Sequence, residues 1–333
     1  MLPNPVIRLR VGLSKRAQHM TRAVTKEKSV SVPIKLAFGL ISRTFYYVPV
    51  WAALEQGYFA AEGLDVTMSV IGSGTQAAKL LSGELQITGA PPEGVVQNVE
   101  AGGTLAIVAG NSGRLSHFLI TQPRFKRIED LRGATLGILT FTEGSFFHFQ
   151  PMLEKHGMHY PQDYKVMPTG GAPHRHQLLL EGKIDAGLQS IPWVYTAEEA
   201  GFNNLGNIND YIPDWQFNSF NVDARWAEQN ADTVERFLRA ILRGSEWMYT
   251  DRAGATALAA REIGIPLAHA ERGWDYFISG GNITRDLEVN RPGLARVIES
   301  QVRAGLLPGS LATVPEKYIQ RRYLDAARNS LHR

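Results

Sequence analysis

The chain of 333 residues contains no cysteine, which excludes disulfides, thiolate metal sites, a cysteine nucleophile and a lipid-anchored cysteine near the amino terminus. No apolar run approaches the roughly 18 to 20 residues of a membrane-spanning helix, so no direct membrane insertion is expected. A secretory leader needs about 7 to 15 uninterrupted apolar residues after a positive start. Val6-Ile7-Arg8-Leu9-Arg10-Val11 is broken by charge, and no twin-arginine motif replaces it. No G-x-S-x-G elbow occurs, and no serine has a base beside it that spacing assigns, so no catalytic residue is expected. His148, His156, His159, His174 and His176 resemble a metal cluster until their spacing is considered. His174 and His176 lie two apart on a predicted helix and point to different sides; no metal is expected. Gly72-Ser-Gly-Thr-Gln-Ala77 fits the dinucleotide pattern G-x-G-x-x-A, but the acid that should end the next strand is displaced to Glu93, beyond the Pro91-Pro92 turn. No cofactor is expected.

The net charge of +3 is unevenly placed. Residues 1–32 carry Arg8, Arg10, Lys15, Arg16, Arg22, Lys26 and Lys28 against Glu27, a balance of +6, so the remainder is mildly acidic at −3. A nucleic-acid binder would place its basic residues on the folded domain, interleaved with aromatics. Here they sit in a segment without clear periodicity, expected to be a disordered basic tail, and no nucleic-acid partner is expected. With 44% hydrophobic and 20% charged residues, the rest reads as an ordinary globular chain of about two domains.

What the chain does have is an internal repeat. Gly72-Ser-Gly-Thr-Gln-Ala-Ala-Lys-Leu-Leu-Ser-Gly83-Glu-Leu-Gln-Ile is echoed 99 residues later by Gly171-Ala-Pro-His-Arg-His-Gln-Leu-Leu-Leu-Glu-Gly182-Lys-Ile-Asp-Ala. Phe45-Tyr46-Tyr47 with Gly57 is echoed 100 residues later by Ser145-Phe146-Phe147 with Gly157. Each copy runs strand, polar loop, helix closed by glycine, strand, Gly-rich loop, helix closed by glycine, strand. Open sheets of this kind bind ligands beyond the carboxyl ends of their strands, so two of them facing each other would share one cleft.

The first copy is expected to place strands at Val32–Gly39, Val66–Ile71 and Leu85–Thr88, with helices at Pro49–Gln56 and Thr75–Ser82. Leu105–Ala109 and Phe118–Thr121 are read as continuing the same lobe. The second copy is expected to place strands at Ala134–Leu139, Lys165–Met167 and Ile184–Leu188. Its helices are expected at Ser145–His156, His174–Glu181 and Trp193–Ala200. From Val234 onward apolar residues recur at three- and four-residue spacing, the mark of amphipathic helices. Single extended crossings near Ile120–Pro123 and Phe217–Val222 divide the chain into lobe 1, residues 33–121 plus 222–333, and lobe 2, residues 122–221. Two such crossings would serve as a hinge.

Tyr47-Val-Pro-Val-Trp-Ala-Ala-Leu-Glu-Gln-Gly57-Tyr-Phe-Ala-Ala-Glu-Gly63-Leu-Asp-Val-Thr67 resembles the early signature of solute-binding proteins of ABC importers, of the nitrate, sulfonate/taurine and thiamine-pyrimidine-precursor type. Gly72-Ser-Gly-Thr75, Ile128-Glu-Asp-Leu-Arg-Gly133 and Gly182-Lys-Ile-Asp-Ala186 fall where that family has counterparts. The resemblance spans residues 34 to about 305. It implies an α/β, periplasmic-binding-protein-like type II fold: two open-sheet lobes, a cleft between them and a two-strand hinge. It also implies capture of a small-molecule ligand outside the cytoplasmic membrane and delivery to an ABC transporter permease. That periplasmic location stands against the missing export signal, which leaves a cytoplasmic one open.

Helix amino termini offer free N–H groups and a positive dipole end to anions. Two of them are expected at the cleft: Ser73, Gly74 and Thr75, and Thr140, Thr142, Gly144 and Ser145. Ser42, Arg43, Thr44 and Tyr46 follow the first strand, and Arg43 is the expected bidentate partner of a carboxylate or sulfonate. Ala90 and Pro91, Gly171, and Gln189, Ser190 and Trp193 follow matching strands and complete the expected ligand set. The aromatic neighbourhood of Phe45, Tyr46, Phe141, Phe146, Phe147 and Trp193 favours an organic anion or related heterocycle over a bare inorganic ion. The alternative is an enzyme on the same fold. A pyrimidine synthase of this fold relies on a cysteine-rich motif that the chain lacks, and an aromatic-acid decarboxylase would draw on Arg43, His148, His174 or Arg175. A DNA-reading regulator would need a helix-turn-helix that residues 1–32 do not supply.

Overall fold

Ile34–Leu40 is the first strand because alternate residues of a strand share a face, and Leu36, Phe38 and Leu40 all point into the core. The computed structural model describes residues 32–72 and 74–331; the expected basic tail, apart from Val32, and Ser73 lie outside them. Ten strands follow in order: β1 Ile34–Leu40, β2 Leu64–Val70, β3 Ile87–Ala90, β4 Leu105–Ser112, β5 His117–Thr121, β6 Thr135–Ile138, β7 Lys165–Pro168, β8 Ala186–Ser190, β9 Asn203–Asn207 and β10 Asn218–Asp223.

They form two five-stranded sheets on one plan, β2-β1-β3-β10-β4 and β7-β6-β8-β5-β9. In each, three parallel strands come from one copy of the repeat, and the fourth position is held by an antiparallel strand. That strand has just arrived from the other sheet: β5 follows β4, and β10 follows β9. The repeat accounts for the parallel triplets, β1 matching β6, β2 matching β7 and β3 matching β8. The helices Gln76–Leu81 and Ala172–Leu180 precede the matched strands β3 and β8, and Gly83 and Gly182 after them have positive φ of 75° and 69°. Such left-handed ends favour glycine because no Cβ clashes.

The chain passes between sheets through residues 113–116 and 211–217, and both lie a few residues earlier than expected. Phe118–Thr121 pairs with β8 in the second sheet, from His117↔Ser190 to Thr121↔Ala186, and Asn218–Val222 lies within β10 of the first. A short apolar run reads as a strand in either sheet. Which sheet it joins is decided by a pairing about seventy residues away.

Residues after β10 cover the first sheet with helices. In the longest, Ala231–Thr250, Phe237 stacks on Phe38 and Phe59 at 5.7 and 5.5 Å and meets Phe220 edge-on at 5.6 Å. Gly244 of this helix lies under the helix Val48–Glu55, where a Cβ would collide with the Pro49 carbonyl. Pro91-Pro92 reads as a turn in the sequence, but Pro92 is the N-cap of a helix, Glu93–Glu100. No described helix is long and apolar enough to cross a membrane.

Candidate functional site

The loops that follow β1, β3, β6 and β8 line one cavity. Ile41, Ser42 and Tyr46 come from the first, Pro91 from the second, Leu139, Gly144 and Ser145 from the third, and Ser190 ends β8. Gly171, Ala172 and Arg175 enter from the start of a helix, His117 from β5, and Phe217 and Asn218 from the second crossing. The strand ends are those at which an open α/β sheet binds ligands. The cavity has a volume of about 40 Å3, room for about three waters or a small charged head group.

Arg175 dominates its electrostatics. It sits in the first turn of Ala172–Leu180, and its stem runs over Gly137 and Gly187, which pair directly across β6 and β8. A Cβ at Gly137 would stand 3.1 Å from Arg175 Cγ, and one at Gly187 3.2 Å from Cδ. Glycine at both positions opens the channel that the stem occupies. The residue is 2% exposed. Nη1 donates to the Gly170 carbonyl at 3.3 Å, and Nε has no partner among the described residues. Burial pulls its pKa down to about 10, with Tyr46 opposing, so the group is still a cation at neutral pH. A buried charge without a counter-ion is costly, and this one stands at the wall of a cavity.

The neighbours are neutral donors. Burial, with His148 and Arg175 nearby, holds His117 well below the usual imidazole range, and burial lowers His148 to about 3. Burial raises Tyr46, keeping its phenol protonated. Ser145 Oγ accepts from the Leu139 N–H at 2.8 Å and keeps its own proton to give; Ser190 Oγ has no partner among the described residues.

A second, wider chamber of about 380 Å3 shares Ile41, Ser42 and Gly171 with the first and adds Arg43, Val70, Pro173, His174, Trp193 and Ile263. Between the chambers Gly171 closes on the opposite lobe: a Cβ there would stand 3.1 Å from Ser42 Cβ. Its φ of −64° suits any residue, so the requirement for glycine is one of space. Gly171→Val should therefore hold the lobes apart. We expect a larger radius of gyration by small-angle scattering and at least a tenfold loss of ligand affinity; an unchanged radius would show that this contact does not set closure.

The loop Thr140–Ser145 is clasped by the first lobe. Gly144 N–H donates to Glu93 Oε1 at 3.1 Å, Gln97 Nε2 to the Thr142 carbonyl at 2.9 Å, and Gln76 Nε2 to Glu143 Oε1 at 3.3 Å. Both carboxyls are buried, and each has one oxygen without a partner among the described residues. Burial, then the proximity of Glu143, pushes Glu93 up to about 8, and burial raises Glu143.

Of the residues expected from sequence, Ser42, Tyr46, Pro91, Gly144, Ser145, Gly171 and Ser190 meet in the inner cavity, and Arg43 and Trp193 line the outer chamber. Arg43 does not reach the inner cavity. Its side chain is 54% exposed and paired with Glu262 at 2.7 Å. Thr75 is turned back to the Gly72 carbonyl at 2.6 Å, and neither Gly74 nor Thr75 lines the inner cavity. Thr140 Oγ1 accepts from the N–H groups of Thr142 and Glu143, capping its own turn. Thr44, Ala90 and Gln189 are buried without lining the cavity. The sequence offers no sign of His117, Phe217 and Asn218 as lining residues, and it offers Arg175 only among the groups an enzyme would draw on. The repeat itself carried a signal for it. Arg175 aligns with Gln76, and both are fully buried polar residues in the first turn of matched helices.

Three comparisons bear on this geometry. A protein of Brucella abortus, provisionally named a binding protein, is 26% identical over 250 residues, covering 72% of this chain and 76% of its own. The alkanesulfonate-binding protein SsuA of Xanthomonas axonopodis pv. citri superposes with a TM-score of 0.70 at 17% identity, over 87% of this chain and 99% of its own. The periplasmic nitrate-binding protein NrtA of Synechocystis PCC 6803 gives 0.74 at 14%, over 90% and 89%. The fold is the two-lobed α/β one of solute-binding proteins of ABC import systems. The family model described as NMT1/THI5 like matches residues 44–255, and with that match over more than half its length, the chain belongs to the NMT1/THI5-like family.

Proposed function

We propose that this protein is a solute-binding protein that closes two lobes around a small organic anion and presents it to the permease of an ABC importer. The observation that carries the reading is Arg175, a buried guanidinium without an ionic partner at the wall of the inner cavity. An anion there would supply the missing counter-charge in a water-poor site, where charge-assisted hydrogen bonds are strong. The hydroxyls of Ser145 and Ser190 would complete the head-group shell. The inner volume suits a sulfonate or carboxylate, and the apolar walls of the outer chamber, Val70, Trp193 and Ile263, suit an aliphatic or aryl body. The lobes we assign are residues 33–112 with 218–331, and 117–210, hinged at the two crossings. Working outside the cytoplasmic membrane follows from delivery to a permease.

Thermal shift against nitrate, taurine, longer alkyl sulfonates, aryl sulfonates and aromatic carboxylates tests the reading. At about a hundred times its dissociation constant a true ligand adds roughly 2.7 kcal/mol, a shift of several degrees, and scattering should show compaction. Anions with an apolar body are expected to shift the most. If every anion leaves the melting curve unmoved while a neutral heterocycle moves it, the charge assignment is wrong.

A further inference from the structure

A further cavity shares no lining residue with the inner cavity or the outer chamber. Phe147 reaches it from the helix Ser145–Glu154 of the second lobe, Arg296, Glu299 and Arg303 from the helix Arg291–Arg303 over the first, and Tyr211 and Trp215 from the second crossing between sheets. Its volume is about 140 Å3, more than three times that of the inner cavity. Three of its walls are aromatic, which suits a flat ring because offset and edge-on ring contacts add to the burial of apolar area. Trp215 is 3% exposed, yet its indole Nε1 has no hydrogen-bond partner among the described residues; an indole N–H is a donor that ordinarily finds one when buried. Arg296 forms no ion pair or hydrogen bond among the described residues, whereas Arg303 stands 3.7 Å from Glu154. With Glu154 beside Arg303, Glu299 is the one acidic residue of the lining set against the unpaired Arg296, which favours one charge on a ligand over two.

We propose that this cavity is a second binding site, for a small aromatic monoanion, with Arg296 taking the anionic group and Phe147 and Trp215 the ring. The inference goes beyond the transport reading and does not depend on what occupies the cleft. Because the walls come from both lobes and from one crossing, a molecule seated there touches the parts whose spacing changes when the cleft opens.

The probe is 4-fluorobenzoate, followed by 19F NMR on the whole protein, with tryptophan fluorescence in parallel. Wild type should broaden the fluorine line in a saturable way. Arg296 is exposed, so Arg296→Ala should fold normally and weaken binding about fivefold or more, as expected for one charge-assisted contact in a partly open site. Arg296→Lys should restore part of it. Trp215→Phe should keep the fluorine signal but lose most of the fluorescence change. The proposal is overturned if the probe does not bind, if Arg296→Ala binds as wild type does, or if binding is lost only when Arg175 is replaced, which would put the probe in the cleft.

Discussion

Arg175→Met should raise the stability of the ligand-free protein and remove nearly all of its ligand-induced shift. The two effects share one cause. Arg175 is buried and without an ionic partner, so the folded state carries an uncompensated desolvation penalty, and its pKa, down to about 10, reflects that penalty at roughly 1.4 kcal/mol per unit. Methionine fills a similar volume along Gly137 and Gly187 and carries no charge. Replacing a buried charge by an apolar side chain is often stabilising by about 1–4 kcal/mol, which in a chain of this size is several degrees of melting temperature. Below pH 10 the arginine is protonated folded and unfolded alike, so the gain should be constant across the neutral range. Binding should respond oppositely. Removing one partner of a buried pair costs about 3–5 kcal/mol, a loss of at least a hundredfold in affinity. A variant that melts lower and still shifts with ligand would make Arg175 a structural residue, and the transport reading would lose its anchor.

The second large effect concerns pH. Glu93 is buried, accepts from Gly144 N–H across the cleft, and is pushed up to about 8 by burial and by Glu143. A carboxyl raised above its unfolded value keeps a proton in the folded state that the unfolded chain releases. Its contribution is therefore fully present below about pH 4.5 and declines as pH rises towards 8, where the folded group ionises too. The span corresponds to at most ~5 kcal/mol. Glu93→Gln keeps an acceptor for Gly144 but cannot ionise. It should match wild type near pH 4 and exceed it by ~2–4 kcal/mol at pH 9 in denaturant unfolding. Parallel pH profiles for the two proteins would mean that Glu93 is ionised in the native clasp. Ligand affinity of wild type should also fall above pH 8, since ionised Glu93 and Glu143 repel across the joint between lobes.

Much of the architecture was legible in the chain because local patterns fix local structure. Glycine after each amphipathic stretch marked helix ends, and the 99-residue offset marked two equivalent units. Observed strands and helices of both copies fall within a few residues of their expected spans. The positions after β1, β6 and the helix-starting Gly171 were also legible as cleft positions, since strand ends of an open sheet converge there. The crossings were not. β5 and β10 are short runs whose sheet is chosen by partners far along the chain, and no local periodicity encodes that choice.

The same division runs through the charged residues. By sequence, Arg43 had the better claim to the anion, being polar-flanked and directly after a strand. Its long side chain instead turns to Glu262, 219 residues away. Arg175, in a helix between two histidines, enters the sequence reading only among the groups an enzyme on this fold would draw on, and becomes buried because Gly137 and Gly187 from two neighbouring strands leave a channel for its stem. The sequence by itself determined the duplicated sheet plan and the ring of strand ends that makes a cleft, because backbone preferences and burial periodicity act over a few residues. Only the tertiary structure decided which arginine faces the inner cavity and which glutamates clasp it, because a flexible side chain takes its direction from whatever the folded chain brings beside it.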